Sequence, residues 1–346
     1  MTTPVTLGLV GYGWFAELLE NHAFSRLDTV KVTAVCDPDA ARRARADREL
    51  GVPTFASVEA MLASSDCEAI VVLTPHDTHR QIVEAAAANG RHVFCEKAMA
   101  VTAADCHAMI ETARTARVEL MVGHMQKLFP PYRRLIELVR EGDYGEPLAV
   151  QVMGFHWCPV FPGWWRHRQS GGGLLYWTGV HDIDTMRHVV GDEVTSVYAV
   201  AGPCTDDYTD YEDSVAVTLR FARGAIATLQ VTPHDPLRDF ERSFAMAVAC
   251  REGAIYFDPD RCVVEHAARH GHTRGERVVE RFGSHEESMA EAYRSEFAHF
   301  AEVIHEGVPS RLPAIDGLRC VEILEAVTAS LRSGEPIALS SGEKVA

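Results

Sequence analysis

The chain of 346 residues is 47% hydrophobic and 24% charged, long enough for two domains that each bury a core. Its 33 basic against 49 acidic residues leave a net charge of −16, which excludes a nucleic-acid or anionic-membrane partner that clustered Lys and Arg would serve. No apolar run approaches the roughly 20 residues that cross a bilayer, and Met1–Pro4 carries no basic leader, so a cytoplasmic protein is expected.

Strand and helix signals alternate from the start. Val5–Val10 reads as a short apolar strand, 14–26 as a helix, Val30–Cys36 as a strand and Ala40–Leu50 as a helix. Residues 69–73 are wholly apolar, the mark of a parallel strand buried on both faces. A helix is expected over 78–89, stopped at Gly90, then strands at His92–Cys95 and Leu120–Val122. This alternation predicts a doubly wound α/β domain over 1–125.

The first turn carries the cofactor signal. Gly11, Tyr12, Gly13, Trp14, Phe15 and Ala16 form a G-x-G-x-x-A run directly between strand and helix. Gly11 permits the tight turn, Gly13 lets a pyrophosphate approach the backbone, and Ala16 lets helix and strand pack closely. The helix N-terminus then faces the phosphates. Asp37 ends the second strand, where a carboxylate accepts from both ribose hydroxyls and repels a 2′-phosphate. NAD is therefore expected, with NADP possible through Arg42 and Arg43. Thr74, Pro75 and His79 follow the fourth strand, and Glu96 and Lys97 follow the fifth, at strand ends where open α/β sheets bind ligands. A lysine in that position is poorly explained by packing.

Further on, Ser170–Asp184 runs from three glycines into a helix start that carries His181. Imidazole is the side chain best suited to proton transfer near neutral pH. His181 and Lys97 are the candidate catalytic pair. No metal site is expected: the nine cysteines are scattered without a C-x-x-C pair and read as reduced, buried thiols. Histidines 266, 270 and 272 stand among arginines and read as a solvated hairpin.

Taken together, the glycine turn, Thr74-Pro75 with His79, Glu96-Lys97, Gly123-His124, the turn 142–147, Trp165-Arg166, Gly171–Gly173, Gly179–Asp184 and the segment 316–334 resemble the Gfo/Idh/MocA family of sugar and polyol oxidoreductases. The resemblance spans nearly the whole chain. It implies a second α/β domain over 126–346 with a large, mostly antiparallel open sheet, whose last helix packs back on the first domain, and a homodimer or homotetramer built on the sheet's outer face. The sequence agrees, with β-rich stretches at 148–155, 194–200, 214–221, 225–232 and 244–249, and helices expected at 131–141, 181–190, 289–306 and 316–333.

The implied chemistry is hydride transfer between a nicotinamide and a secondary alcohol of a cyclic polyol, sugar or glycoside. His181 is the candidate base and Lys97 would hydrogen-bond the same alcohol oxygen, with family members differing on which of the two takes the proton. Asp184 either orients His181 or simply sits early in a helix. His124, Trp165, Arg166, Trp177, His181 and Asp184 are the candidate substrate residues, with Tyr132 a weaker one, and 157–168 is read as the substrate lip. Family members usually have Asp four residues before the histidine; Trp177 stands there, an apolar wall that cannot take a proton. Ala98 replaces the usual proline after Glu-Lys, which is expected to loosen that turn. Two alternatives stay open: an NAD-dependent glycosidase of the same fold, and a non-catalytic sugar sensor.

Overall fold

The computed structural model describes residues 3–156, 163–204, 211–233, 244–259, 261–270 and 273–340. It divides into two compact units, Met1–Met125 with Ala290–Arg319, and Gln126–Met289 with Cys320–Ala346.

The first unit holds β1 (Val5–Val10), α1 (Trp14–His22), β2 (Val30–Cys36), α2 (Ala40–Leu50), β3 (Thr54–Phe55), α3 (Val58–Ser64), β4 (Ala69–Val72), α4 (His79–Ala88), β5 (His92–Cys95), α5 (Ala103–Ala116) and β6 (Leu120–Val122). Its six strands are all parallel, in the order β3-β2-β1-β4-β5-β6. This is the doubly wound order, in which the chain reverses direction between β1 and β4 and leaves a crevice at the strands' carboxyl ends. Every residue of β4 is buried, as its unbroken apolar run requires. The expected helix over 14–26 stops at His22, and the chain tightens into a 3-10 turn, Phe24–Arg26, that buries Phe24.

The remaining elements are α6 (Pro130–Glu141), β7 (Pro147–His156), α7 (Arg168–Gly171), α8 (Val180–Val190), β8 (Val194–Ala201), β9 (Val215–Phe221), β10 (Ile226–Pro233), β11 (Phe244–Cys250), β12 (Gly253–Asp258), β13 (Val263–His270), β14 (Thr273–Arg274), β15 (Val278–Arg281), α9 (His285–Glu306), α10 (Ala314–Ser333) and β16 (Ile337–Ala338). The second unit's sheet has ten strands, ordered β14-β13-β12-β11-β7-β10-β9-β8-β16, with β15 beside β13. Only β7 and β10 run parallel; the other described pairings are antiparallel. One face is solvated: β9 alternates strictly between buried and exposed residues, with Val215, Val217, Leu219 and Phe221 inward.

Within the expected second domain of 126–346, residues 290–319 pack with the first unit. The cause is aromatic packing. Phe297 on α9 meets Phe24 and Phe94, each at a centroid distance of 4.6 Å, and Phe300 meets Phe94 at 5.6 Å. The start of α10 is held by the Val122 N–H donating to Leu312 O at 3.1 Å. The solvated hairpin expected around His266 is also corrected. His266 lies buried in β13, its Nδ1 2.5 Å from the Tyr144 hydroxyl and its Nε2 2.9 Å from Glu280 Oε1. The His270 side chain and His272 lie outside the described residues. The eight described cysteines are free thiols, all buried except Cys204, which is exposed.

Because Phe297 is fully buried between two other rings, Phe297→Ala should cost about 3–5 kcal/mol. Urea denaturation followed by circular dichroism measures this. A midpoint equal to that of the parent protein would contradict the packing role.

Candidate active site

In the first unit the glycine turn has the geometry a dinucleotide needs. Gly11 sits at φ +94°, and a Cβ there would lie 2.7 Å from Leu73 O, so no other residue fits. At Gly13 the reason is different, since nothing lies within 4 Å of where a Cβ would stand. The protein's own packing does not demand glycine there; the space in front of the α1 N-terminus is open to a group that approaches the backbone. Ala16 is fully buried under the helix, Trp14 is exposed, and the Phe15 ring meets Trp14 at 5.4 Å and Tyr293 at 5.9 Å. Tyr12 is fully buried, its hydroxyl donating to Glu49 at 2.9 Å.

Asp37 is buried at the end of β2 and already organised. Its Oδ2 accepts the Tyr12 N–H at 2.8 Å, and its Oδ1 accepts the Asp39 N–H at 2.8 Å. A carboxylate has about four acceptor directions, so one remains on each oxygen. The two arginines differ. Arg43 donates to the main-chain oxygens of Asp37 and Pro38, whereas Arg42 is half exposed, with Nη1 3.6 Å from Asp37 Oδ2.

The next two strand ends interlock. His79 is fully buried, with Nε2 2.9 Å from Thr74 O and Nδ1 3.1 Å from Met99 O. Burial holds its imidazole below the ordinary histidine pKa, and in the neutral form its single N–H can be donated to only one of these two carbonyls. His76 is a residue that sequence reasoning missed. It is buried, and its Nε2 accepts the Ala98 N–H at 3.1 Å. The Lys97–Ala98 peptide is cis. Ala98 is buried and hydrogen-bonded, so the looser turn expected from the missing proline is not found.

Glu96 and Lys97 carry shifted charges. Burial pushes the Glu96 carboxyl up to about 7, against the pull of the Lys97 ammonium. Lys97 is half-buried, and desolvation lowers its pKa while the Glu96 carboxylate opposes the shift. Glu96 lies flat against Gly123, where a Cβ would come within 2.7 Å of Oε1. Glu296 on α9 is the second residue missed by sequence reasoning. It is fully buried, neither carboxyl oxygen has a hydrogen-bond partner, and burial together with the nearby Glu96 charge raises its pKa well above the carboxylate range. His124, after β6, is buried.

The second unit holds the histidine. Gly172 and Gly173 adopt φ of +75° and +92°, where a Cβ would strike Tyr176 at 2.4 Å and Tyr211 at 2.6 Å. A Cβ on Gly171 would lie 2.4 Å from the Trp165 Cα. The triple glycine is thus the only way to fold this turn tightly under Trp165 and Tyr176. A π-helical turn, Leu175–Gly179, carries Trp177 and leads into α8. His181 is the one residue of α8 that is not buried.

Asp184 faces inward instead. Lys127 Nζ stands 3.4 Å from both its oxygens, Arg187 Nη1 3.7 Å and His188 Nε2 3.5 Å from Oδ1. Arg187 also grips Glu193 through two bonds of 2.9 and 2.6 Å. Asp184 is therefore a buried ionic hub, and Lys127 is the third residue that sequence reasoning missed.

Of the substrate lip read at 157–168, residues 157–162 lie outside the described residues. Trp165 and Arg166 are buried, with the guanidinium 4.8 Å from the indole centroid. Tyr132 is a core residue, buried edge-to-face on Phe257 at 4.4 Å, with its hydroxyl taking the Gln126 amide at 3.0 Å.

Comparison with known proteins places the chain. Residues 5–124 match "Oxidoreductase family, NAD-binding Rossmann fold", and residues 132–256 match the "GFO/IDH/MocA C-terminal domain". The protein belongs to the Gfo/Idh/MocA oxidoreductase family, and its first unit is an NAD-binding Rossmann domain. It is 28% identical to inositol 2-dehydrogenase of Rhizobium meliloti (strain 1021), over 97% of this chain and 99% of that one. It is 29% identical to 2,7-anhydro-N-acetylneuraminate hydratase of Escherichia coli (strain K12) over 65% of this chain, a match that spans about three fifths (61%) of the relative's length. The structure of levoglucosan dehydrogenase in complex with NADH and L-sorbose superposes with a TM-score of 0.85 at 21% identity, covering 98% of this chain and all (100%) of that one. Among the described residues no helix is long and apolar enough to cross a membrane.

The raised carboxyl pKa values make stability pH-dependent. Between about 4.5 and about 7 the unfolded chain releases the Glu96 proton while the folded protein keeps it, so stability falls as pH rises through that window. Glu296, raised well above the carboxylate range, adds to the fall as pH rises. Glu296→Gln cannot ionise. It should match the parent in urea resistance near pH 4.5 and exceed it increasingly as pH rises from there. Parallel urea midpoints for the two proteins across that range would refute the assignment.

Proposed function

We propose that the protein is an NAD(H)-dependent oxidoreductase acting on a secondary alcohol of a cyclic polyol, sugar or glycoside. The observation that carries this reading is the exposure pattern of α8: His181 alone in that helix is not buried, on an element anchored by buried charge. The inositol dehydrogenase relative supports a polyol or sugar as the substrate class.

When bound, the nicotinamide supplies the hydride acceptor or donor. Gly11 and Gly13 keep the backbone clear for the pyrophosphate, and the α1 N-terminus offers N–H groups to it. The open acceptor direction on each Asp37 oxygen receives a ribose hydroxyl, which favours NAD. Arg42, the half-exposed arginine, is the group able to turn to a 2′-phosphate if NADP binds. Thr74, Pro75, His79 and Glu96 shape the turn beside the nicotinamide. His181 takes the proton of the substrate hydroxyl at an imidazole nitrogen. Lys97 donates to the same oxygen and stabilises the charge that develops there. Partial desolvation of Lys97 strengthens that bond, and Glu96 keeps the ammonium charged.

A second reading is favoured by one observation, the relative named a hydratase. In that case NAD is reduced and reoxidised within one turnover and no net NADH appears. Steady NADH formation over a polyol and glycoside panel supports the dehydrogenase; conversion with constant NADH supports the alternative.

We assign self-association to the outer face of the second unit's sheet, where Tyr198, Val200 and Ile226 are exposed. The strand register puts all three on one face, through Tyr198↔Thr218↔Thr228 and Ile226↔Arg220.

Two substitutions test the roles. His181→Ala should lower turnover by roughly 10²–10⁴-fold while NAD affinity, read by fluorescence titration, is kept. Unchanged turnover would remove His181 from the mechanism. Asp37→Ala should weaken NAD more than NADP; equal losses for both cofactors would contradict the ribose assignment.

A further inference from the structure

The open face beside His181 is aromatic. From Leu174 to Val190 only Trp177, Thr178 and His181 are not buried. Trp177 and His181 are four residues apart across the junction of the π turn and α8, which puts them about one helical turn apart on the same side. The Trp177 indole meets Trp164 at 5.7 Å with the rings at 65°, and Trp165 at 5.8 Å with the rings at 40°. Trp164 is partly open like Trp177, while Trp165 is buried and backs the pair. The nearby carboxylates, Asp182 and Asp184, are both fully buried and do not contribute to this face.

Such a corner discriminates by chemistry. Indole offers a single N–H donor and no acceptor. A sugar hydroxyl pressed onto its face loses water and gains no partner, which is unfavourable. An aromatic ring placed there buries apolar area and adds a favourable ring-on-ring interaction. The side of the substrate that meets Trp177 is therefore one that turns no hydroxyl onto the indole face, and an aromatic ring does this with its whole face.

We propose that Trp177 and Trp164 form a subsite for an apolar aromatic substituent next to the reacting alcohol, so that the substrate class is an aryl glycoside and not a free polyol. The proposal rests on the oxidoreductase reading above and narrows its substrate.

The test is binding of phenyl glucoside and methyl glucoside to the NAD-loaded protein, by calorimetry and tryptophan fluorescence quenching, with NADH formation followed in the same samples. The phenyl compound should bind about tenfold more tightly than the methyl compound. Trp177→Ala should abolish that difference and Trp177→Phe should keep most of it. If Trp177→Ala does not fold, Trp164→Ala gives the same readout from the other wall. Equal affinity for the two glucosides in the parent protein, or a preference that survives the alanine variant, overturns the subsite. A Trp177-dependent preference without NADH from either compound leaves the subsite standing and overturns the dehydrogenase reading. NADH from both compounds with no difference in affinity does the reverse.

Discussion

The second unit depends on one buried carboxylate. Asp184 has no access to water, and an isolated ionised carboxylate in that position would be prohibitively costly. Lys127 and Arg187 supply the compensating charge, and Glu193 balances the second cation through a bidentate pair. A lysine ammonium has no acceptor, so the 2.9 Å contact between Lys127 and His188 Nε2 makes that nitrogen the acceptor and puts the imidazole proton on Nδ1. Removing one member of such a set leaves the others buried and unpaired, typically a loss of about 3–5 kcal/mol. The network joins the start of the unit, through Lys127, to the middle of α8, and so fixes the helix that carries His181. An early-helix aspartate is therefore less a partner of the histidine than the reason its helix cannot turn.

The first unit treats its buried acids differently. Glu296 has no cation on it, so it can stay in the apolar environment between α9 and the end of β5 only as the neutral acid. Glu96, next to Lys97, is left at the boundary, its burial and its neighbour pulling in opposite directions. Near neutral pH that carboxyl is about half ionised, so Lys97, itself partly desolvated, is not locked into a fully formed ion pair.

Much of this architecture was legible from the sequence because it is local. The alternation of apolar strands with helices, the spacing of Gly11, Gly13 and Ala16, and the carboxylate at the end of β2 are short-range patterns, and the structure places them as their periodicity implies. Helix α5 was equally legible and was overlooked: Thr102 caps it, accepting the Asp105 N–H at 3.1 Å while its own hydroxyl meets the Asp105 carboxylate at 2.6 Å, a capping pattern written in the sequence. What could not be read depends on contacts between distant segments. His76 finds its role through an amide 22 residues away, Lys127 through an acid 57 residues away, and Glu296 through a packing of α9 on β5 that no periodicity announces. The same holds for residues 290–319, whose helical pattern was clear but whose unit was decided by the rings of Phe24 and Phe94.

Trp177 shows where local pattern and chemistry part. By spacing it belongs to the helix start that presents His181, and a carboxylate at that position would share a proton with the imidazole. An indole cannot, so in the proposed mechanism a proton taken from a substrate alcohol would pass through no acid at that position. His181 is itself partly open. The loss of an acid is thus compatible with proton transfer, and the same substitution changes what can lie beside it. The Trp164 and Trp177 indoles stand edge-to-face. Trp165, buried against Gly163 and Gly171, backs Trp177. Gly171, one of the two glycines that permit this packing, also opens the turn that leads into α8, so one backbone arrangement positions both His181 and the indoles.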